Sequence, residues 1–497
     1  MAVVGVAVCA LACVVFVFVP WLVRHLRLRR IIDRIHGPRT MPLLGNSHQL
    51  KTNPDEFFEQ ACGVCMMYAR PRLLRIWLLW WPYVIVYGAD EAEAILSSNK
   101  HIRKSNEYEL LHPWLGLGLL TSYPEQWRPR RKLLTPAFHY DILKDFVDIF
   151  SSEALVLVER LLAHAHSGQP VDVLRHVTLC ALDIICESAM GRHVGAQSGQ
   201  HAQYVNAIYT INEIIHERQK QPWFWSDVMF NAFGRGSEHR KCVAIIHKLT
   251  QKVIKERYEQ IKQAGGLNNL ISDAENNNDN NNNASNEAPT KRRLAFLDLL
   301  LDLVERGELP MEDVRSEVDT FMFEGHDTTS AGMNWALLML ATHPATQQRV
   351  HQELDAIFGA TDRMPTFEDV GKMKYLECCI KEALRLFPSV PMYGRQTAAE
   401  ITVKGLVIPA GVTVLINPFM VHRDRMHWPD PELFQPERFL PESTIGRHPY
   451  AYLPFSAGAR NCIGQRFAIM EEKTVLSWLL RYFHVESVLR RDQVCVG

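Results

Sequence analysis

No G-x-G-x-x-G follows a β-like run anywhere in the 497 residues, so the chain carries no visible nucleotide site of its own. Neither sign of charge prevails. Fifty-four Lys+Arg against 55 Asp+Glu leave a net charge of -1, which argues against a nucleic-acid binder, so any electrostatic partner must be met by a local patch. Cysteines number eleven, an odd and scattered set, and no second pair accompanies Cys62-x-x-Cys65. A disulfide scaffold and a tetrahedral zinc site are therefore both disfavoured, and plain burial is the expectation for that pair. No internal break divides a core either. At 47% hydrophobic and 22% charged, the chain can bury one large interior.

Charge is also missing from Ala2 to Val23, and ~20 apolar residues are enough to cross a bilayer as a helix. Arg24, His25, Arg27, Arg29 and Arg30 come next, with no acidic residue before Asp33. Basic residues behind the apolar run reverse the order of a cleavable secretory peptide. The positive-inside rule then puts the body in the cytosol. The expected organisation is a transmembrane anchor over 1–23, a basic, proline-rich linker over 24–45 stiffened by Pro38, Pro42 and Gly45, and a single domain over 46–497. Within that domain Asn276–Asn286 has almost no apolar content and cannot offset its ordering entropy by burial. It reads as a disordered insertion at about 268–290. The sequon at Asn283 inside it would face the cytosol, away from glycosylation.

Hydrophobic periodicity predicts helices near Tyr140–Ala165, Val171–Met190, Tyr204–Arg218, Cys242–Gln263, Leu294–Arg306, Met311–Ala341, Ala345–Phe358 and Lys372–Phe387. Short β-like runs occur at Leu73–Tyr87 and Ile401–Ile416, and prolines break regular structure between His422 and Tyr450. The fold class is mainly α with small peripheral sheets.

Ten residues carry the chemistry: Phe455-Ser-Ala-Gly458-Ala-Arg460-Asn-Cys462-Ile-Gly464. A lone cysteine is usually a buried thiol. Here glycines let backbone N–H groups approach the sulfur, and a helix starting behind Cys462 points its positive end at it. Both effects are expected to lower the Cys462 pKa and favour the thiolate. The whole string resembles the haem-binding loop of the cytochrome P-450 superfamily. The resemblance implies that superfamily's triangular, helix-rich fold, with 46–497 as the haem-binding catalytic domain. It also implies Cys462 as axial ligand to haem iron, with Phe455, Arg460 and Gly464 shaping the loop. A thiolate in that position pushes electron density toward iron and favours O–O cleavage.

A second constellation, Glu324-Gly325-His326-Asp327-Thr328-Thr329, puts costly polar residues in the middle of an apolar helix. Gly325 and the threonine hydroxyls suggest a local widening of that helix. Asp327 and Thr328 form an acid and alcohol pair able to relay protons, a service worth ~10² to 10⁴ in rate. For a bare Asp-Thr pair, hydroxyl back-bonding is the better reading; beside the cysteine loop the relay is. Glu317 to Thr329 resembles the family 4 branch, the fatty-acid omega-hydroxylases, where most other members have Ala or Gly at the position of Glu324. Glu324 precedes Thr328 by four residues, so both face one way. Resemblance implies that the Glu324 carboxylate can become esterified to haem.

Glu382-x-x-Arg385 is a common helical spacing, repeated at Glu125/Arg128 and Glu312/Arg315. Its family context would add Arg438 and make a buried clamp on the cysteine-bearing meander. Trp127-x-x-x-Arg131 matches the family's propionate-binding helix, and Arg395 and Arg460 are further candidate partners for the two haem carboxylates. Arg128, Arg130 and Lys132 add positive charge nearby. Electrons must come from outside the chain. The resemblance implies an NADPH-dependent flavoprotein reductase in the endoplasmic reticulum membrane, with cytochrome b5 as a further candidate donor.

Tyr108–Leu120 and Tyr204–Phe233 are candidate pocket walls, and Leu117, Ile215, Val390 and Pro391 suit a hydrophobic substrate: a fatty acid or related lipid, a terpenoid or a xenobiotic. Only 35 residues follow Cys462, so the family's C-terminal hairpin is expected to be short or absent. Two other readings stay open here: a haem-thiolate isomerase or dehydratase, which the Asp327-Thr328 pair argues against, and a non-catalytic haem-binding variant.

Overall fold

The computed structural model describes residues 2–68, 70–267, 269, 295–489 and 493, with side chains from Val15 onward except Asp141. The asparagine-rich insertion lies outside the described residues, apart from Asn269. Most of the segment after 489 does too.

Helix α1, Ala2–Ile32, runs through the basic stretch without interruption. One residue of its last turn, Ile32, and, just beyond, Ile35 have no exposed surface and belong to the apolar cluster of the sheet. Those two side chains dock this end of the helix, and Asp33 ties it further to Arg29 and Arg75. Among the described residues no helix is long and apolar enough to cross a membrane. Helix α2, Pro54–Met67, begins with an Asn53 side chain accepting the Glu56 N–H, proline in the first turn, and two acids against the dipole. Cys62 and Cys65 lie buried on it, and burial pushes both thiols up to about 12.

Helices α3 (Pro124–Leu134), α4 (Tyr140–Ala165), α5 (Val173–Ser188), α6 (Ala202–Lys220) and α7 (Gly236–Gln263) precede the long α8 (Met311–Thr342). Then come α9 (Lys374–Leu386) and α10 (Gln465–Tyr482). Helix α8 is the axis, packed by α5, α7, α9 and α10. One continuous apolar core surrounds it.

The sheet stands at the edge. Strands β1 (Leu73–Leu78), β2 (Trp81–Val86), β3 (Tyr393–Gln396) and β6 (Thr413–Ile416) take the order β1-β2-β6-β3, with β2 and β6 parallel and the other pairs antiparallel. Strands β4 (Ile401–Val403) and β5 (Leu406–Ile408) form a hairpin turned by Lys404 and Gly405, both at positive φ. The Cys462 loop, α3, β3 and the middle of α8 converge, Arg131 bonding Asn461, Arg395 bonding Arg460 and the Glu324 charge acting on Cys462. That convergence is the site.

Away from it, Glu153 on α4 is buried and faces Glu187 and His193, whose Nδ1 lies 3.3 Å from both carboxylates. Burial, then Asp183, raises Glu153 to about 7. A carboxyl held above its ordinary range binds its proton more tightly in the folded state. Its stabilising contribution is complete below the ordinary carboxylate pKa of ~4.3 and disappears as pH rises through about 7. The expected result is that Glu153→Gln loses less melting temperature than the parent chain between pH 5 and pH 8. Thermal unfolding at the two pH values checks this, and parallel losses would refute it.

Candidate active site

Gly458 sits at φ +73 with its Cα against Leu96, where an added Cβ would lie 1.8 Å from the Leu96 carbonyl oxygen. No side chain is tolerated at that approach. The turn it allows brings the Asn461 N–H to the Gly458 carbonyl and the Cys462 N–H to the Phe455 carbonyl at 3.0 Å. The Gly464 N–H then donates to the Cys462 sulfur, and α10 starts at Gln465.

Cys462 carries open surface, yet loss of solvation is what chiefly pushes its thiol up, to about 11. Glu324 shows the same combination in mid-helix: open surface, and a carboxyl raised by burial first, against the lowering effect of Lys104. Both facts hold together if the open surface faces an enclosed interior space. The lowered cysteine pKa expected from the glycines and the helix dipole is corrected here. The Gly464 N–H, Arg131 and Lys104 do act in that direction, but burial and the Glu324 charge outweigh them.

The same space gathers positive charge. Arg460 is buried; one guanidinium nitrogen donates to the Ile102 carbonyl at 2.8 Å, the other to Leu120 and Ser122 at 2.9 and 2.8 Å, and its Nε has no partner. Burial and then Arg395 lower it to about 9. Arg395, on β3 and 2% exposed, donates among the described residues only to the Gly394 and Arg460 carbonyls. Lys104 pairs with Arg395 across a β-bridge and lies 4.4 Å from the Tyr108 ring. Burial, Arg395 and Arg460 hold its ammonium well below its usual range. Arg131 forks onto Asn461, donating to its carbonyl at 2.8 Å and its side chain at 3.0 Å. The buried Trp127 ring lies 5.2 Å from the Arg460 guanidinium. Among the described residues none of these four cations has a carboxylate partner within ion-pair distance. Buried arginines satisfied only by carbonyls, one nitrogen left without an acceptor, and a thiol in their midst suit a planar metal cofactor that brings two carboxylates of its own.

On α8, Thr328 Oγ1 donates to the Glu324 carbonyl and Thr329 Oγ1 to the Gly325 carbonyl, each at 2.8 Å. The helix is continuous from Met311 to Thr342. The widening expected at Gly325 is absent. A Cβ there would lie 2.6 Å from Ile185 of α5, so the glycine serves instead to let the two helices pack closely. Glu324 and Thr328 share one face. Asp327 turns toward α6, where its charge bears on Tyr204 and Tyr209, and burial raises its carboxyl.

Glu382 and Arg385 come together with no exposed surface, in two hydrogen bonds of 2.7 and 2.8 Å. Arg385 also donates to the His422, Pro431 and Leu433 carbonyls. Arg438 Nε lies 3.4 Å from Glu382. His422, unforeseen from sequence, completes the link: its Nδ1 faces the Arg385 carbonyl, and its Nε2 accepts the Leu453 N–H at 2.7 Å, two residues before Phe455. Burial holds its imidazole neutral, down at about 3. Arg130, by contrast, leaves the cationic group and pairs with Asp313 and Glu317 of α8. Lys104 was equally illegible, since no motif marks a lysine whose role begins only when β3 lies beside it. The stretch around Leu117 is braced on α8, with the Leu119 N–H donating to Glu317 and Gly116 and Gly118 set close against Ser316 and Thr320.

A helical fold that closes a cysteine loop, a cluster of unpaired cations and a polar mid-helix turn around one interior space defines a haem-thiolate protein. Comparison with known proteins agrees: residues 35–494 match the cytochrome P450 family, and the chain belongs to it. It is similar to human cytochrome P450 4V2, 47% identical over 92% of this chain and 85% of that protein. Drosophila melanogaster cytochrome P450 4c3 is 44% identical over 95% and 87%, and Blattella germanica cytochrome P450 4c21 37% identical over 94% and 91%. These relatives place the chain in family 4. It is accordingly a monooxygenase with haem held by an axial cysteine thiolate, served by electron-transfer partners and acting on hydrophobic substrates.

Proposed function

We propose that the chain hydroxylates a long-chain lipid, fatty acids foremost, at or near the chain terminus. In this reading Cys462 ligates the haem iron, and Arg131, Arg395 and Arg460, with Trp127, hold the propionates. Bound haem supplies oxygen activation and insertion into the C–H bond. The observation that carries the reading is that Glu324 and Cys462 each carry open surface and lie near enough for the Glu324 charge to act on the thiol, so the carboxylate would be at hand for an ester to bound haem, with the oxidising power of that haem's own turnover forming the C–O bond. Thr328 keeps its hydroxyl on the Glu324 carbonyl until it turns to pass a proton, and Asp327, raised by burial, is a group that can give one up.

Helix α3 supports a docking face for an acidic NADPH-dependent reductase, with cytochrome b5 as a second donor: Arg131 faces inward while Arg128 and Lys132 are exposed, and Arg466 is exposed at the start of α10. Exposed Phe16, Val17, Phe18 and Trp21 ahead of Arg24 and Arg27 support an α1 anchor in the endoplasmic reticulum membrane.

Purified protein reconstituted with reductase, NADPH and fatty acids from lauric to stearic is expected to give omega-alcohols. Its haem should resist extraction after turnover, and that of Glu324→Ala should not. Absence of fatty-acid products, or equal extraction from both proteins, would overturn the respective parts of the proposal.

A further inference from the structure

A cavity of about 410 Å³ lies between α2, the sheet, β3 and the end of α6, walled largely by Phe57, Phe58, Val64, Ile76, Ile85 and Leu415. Two opposite charges face into it. Lys220, the last residue of α6, is 5% exposed and donates to the Thr52 carbonyl at 2.7 Å, with its ammonium 5.5 Å from the Phe57 ring. Among the described residues no carboxylate lies within ion-pair distance of it. Glu217 acts on it only from farther off and pairs with Arg235 instead. A buried ammonium with one carbonyl partner has two donors to spare. Glu107 stands with Ser105, Tyr108 and Gly394 on the wall that adjoins Arg395 and Lys104. The Tyr83 hydroxyl donates to one of its oxygens, and the other, buried, has no partner.

We infer that this cavity is the binding channel for an unbranched aliphatic carboxylate, with Lys220 as the positioning residue that anchors its head group. The hydrocarbon lies along the apolar wall with its far end toward the Cys462 side. The inference rests on the lipid-hydroxylase reading and adds its orientation. Lys220 attracts the carboxylate, and Glu107, on the wall that adjoins Arg395 and Lys104, repels it, so that wall accepts only an uncharged chain end. The remaining polar groups on the wall are neutral: Asn46, Gln49, Gln60, Gln219 and His216, the last lowered to about 4 by burial and then by Lys220. One cation therefore decides the polarity of binding.

Haem-loaded protein is titrated with dodecanoate and with methyl dodecanoate, following the haem spectrum and, independently, binding heat. Lys220→Met is expected to weaken dodecanoate about ten- to a hundredfold, the loss of one charge-assisted contact, and to leave the ester unchanged. Lys220→Arg should restore acid binding, because the fork keeps both the Thr52 contact and the charge. In turnover, Lys220→Met should spread hydroxylation of dodecanoate away from the terminal carbon. Equal weakening of acid and ester, or no weakening of the acid, overturns the anchor while leaving lipid hydroxylation standing. A parent chain that binds neither compound overturns both readings together.

Discussion

Arg385→Ala is expected to accumulate poorly, to carry little haem, and to lose ~3–5 kcal/mol of folding stability. The side chain spans two halves of the molecule. Its fork holds Glu382 on α9, and its remaining donors satisfy the carbonyls of His422, Pro431 and Leu433 in the proline-rich stretch. Truncation leaves the Glu382 carboxylate with no exposed surface, supported among the described residues by Arg438, by the Gln435 N–H at 2.9 Å and, from farther off, by the Arg447 charge. Three carbonyls lose their donor as well, each at ~1–3 kcal/mol if water cannot reach it. Arg385→Lys offers a single ammonium where two parallel bonds are needed, so only a fraction should be recovered. Haem-to-protein ratio and denaturant unfolding measure the result. Normal haem content in Arg385→Ala would show that the pair merely sits beside the meander. A double variant, Glu382→Leu with Arg385→Leu, should be less damaging than the sum of the single changes, because it leaves no lone buried charge.

That network shows what the chain made legible and what it did not. Glu382, Arg385 and Arg438 were visible as residues in a motif, and so were the Cys462 loop and the arginines near it. His422 was not: its two ring nitrogens gain a purpose only when α9 and the Leu453 segment lie on either side. Helices such as Tyr140–Ala165 followed directly from apolar periodicity, since one face must meet the core along their whole length. Strand β3 escaped, being four residues, Tyr-Gly-Arg-Gln, without alternation, and it forms because β6 is there to pair with it. Lys104 went unseen for the same reason, as its bridge to Arg395 depends on that strand. The Cys462 pKa runs opposite to the motif's promise because sequence displays neighbours along the chain but not the solvent they lose. At Gly325 the local reading of a weakened helix missed Ile185, which arrives from another helix and needs the space.

The second large effect belongs to Gly458. Replacing it by alanine meets two penalties: positive φ, at ~1–2 kcal/mol for an L-residue, and a Cβ driven onto the Leu96 backbone, which cannot rotate away. Gly446→Ala isolates the first, since Gly446 has φ +78 and nothing within 4 Å of its would-be Cβ. If the close approach at Leu96 is what fixes the loop, Gly446→Ala should lose about the strain alone and keep its haem ligation. Gly458→Ala should displace the turn, break the Asn461–Gly458 and Cys462–Phe455 hydrogen bonds, and pull Asn461 off Arg131. The sulfur would then move from the position that the Gly464 N–H and the start of α10 define. The reduced carbonyl adduct reports this directly: the thiolate-type Soret band should persist in Gly446→Ala and be largely lost in Gly458→Ala, even in whatever fraction retains haem. Identical spectra and similar unfolding midpoints would mean that the loop is held from its arginines alone, and that its contact with Leu96 follows from the turn instead of causing it.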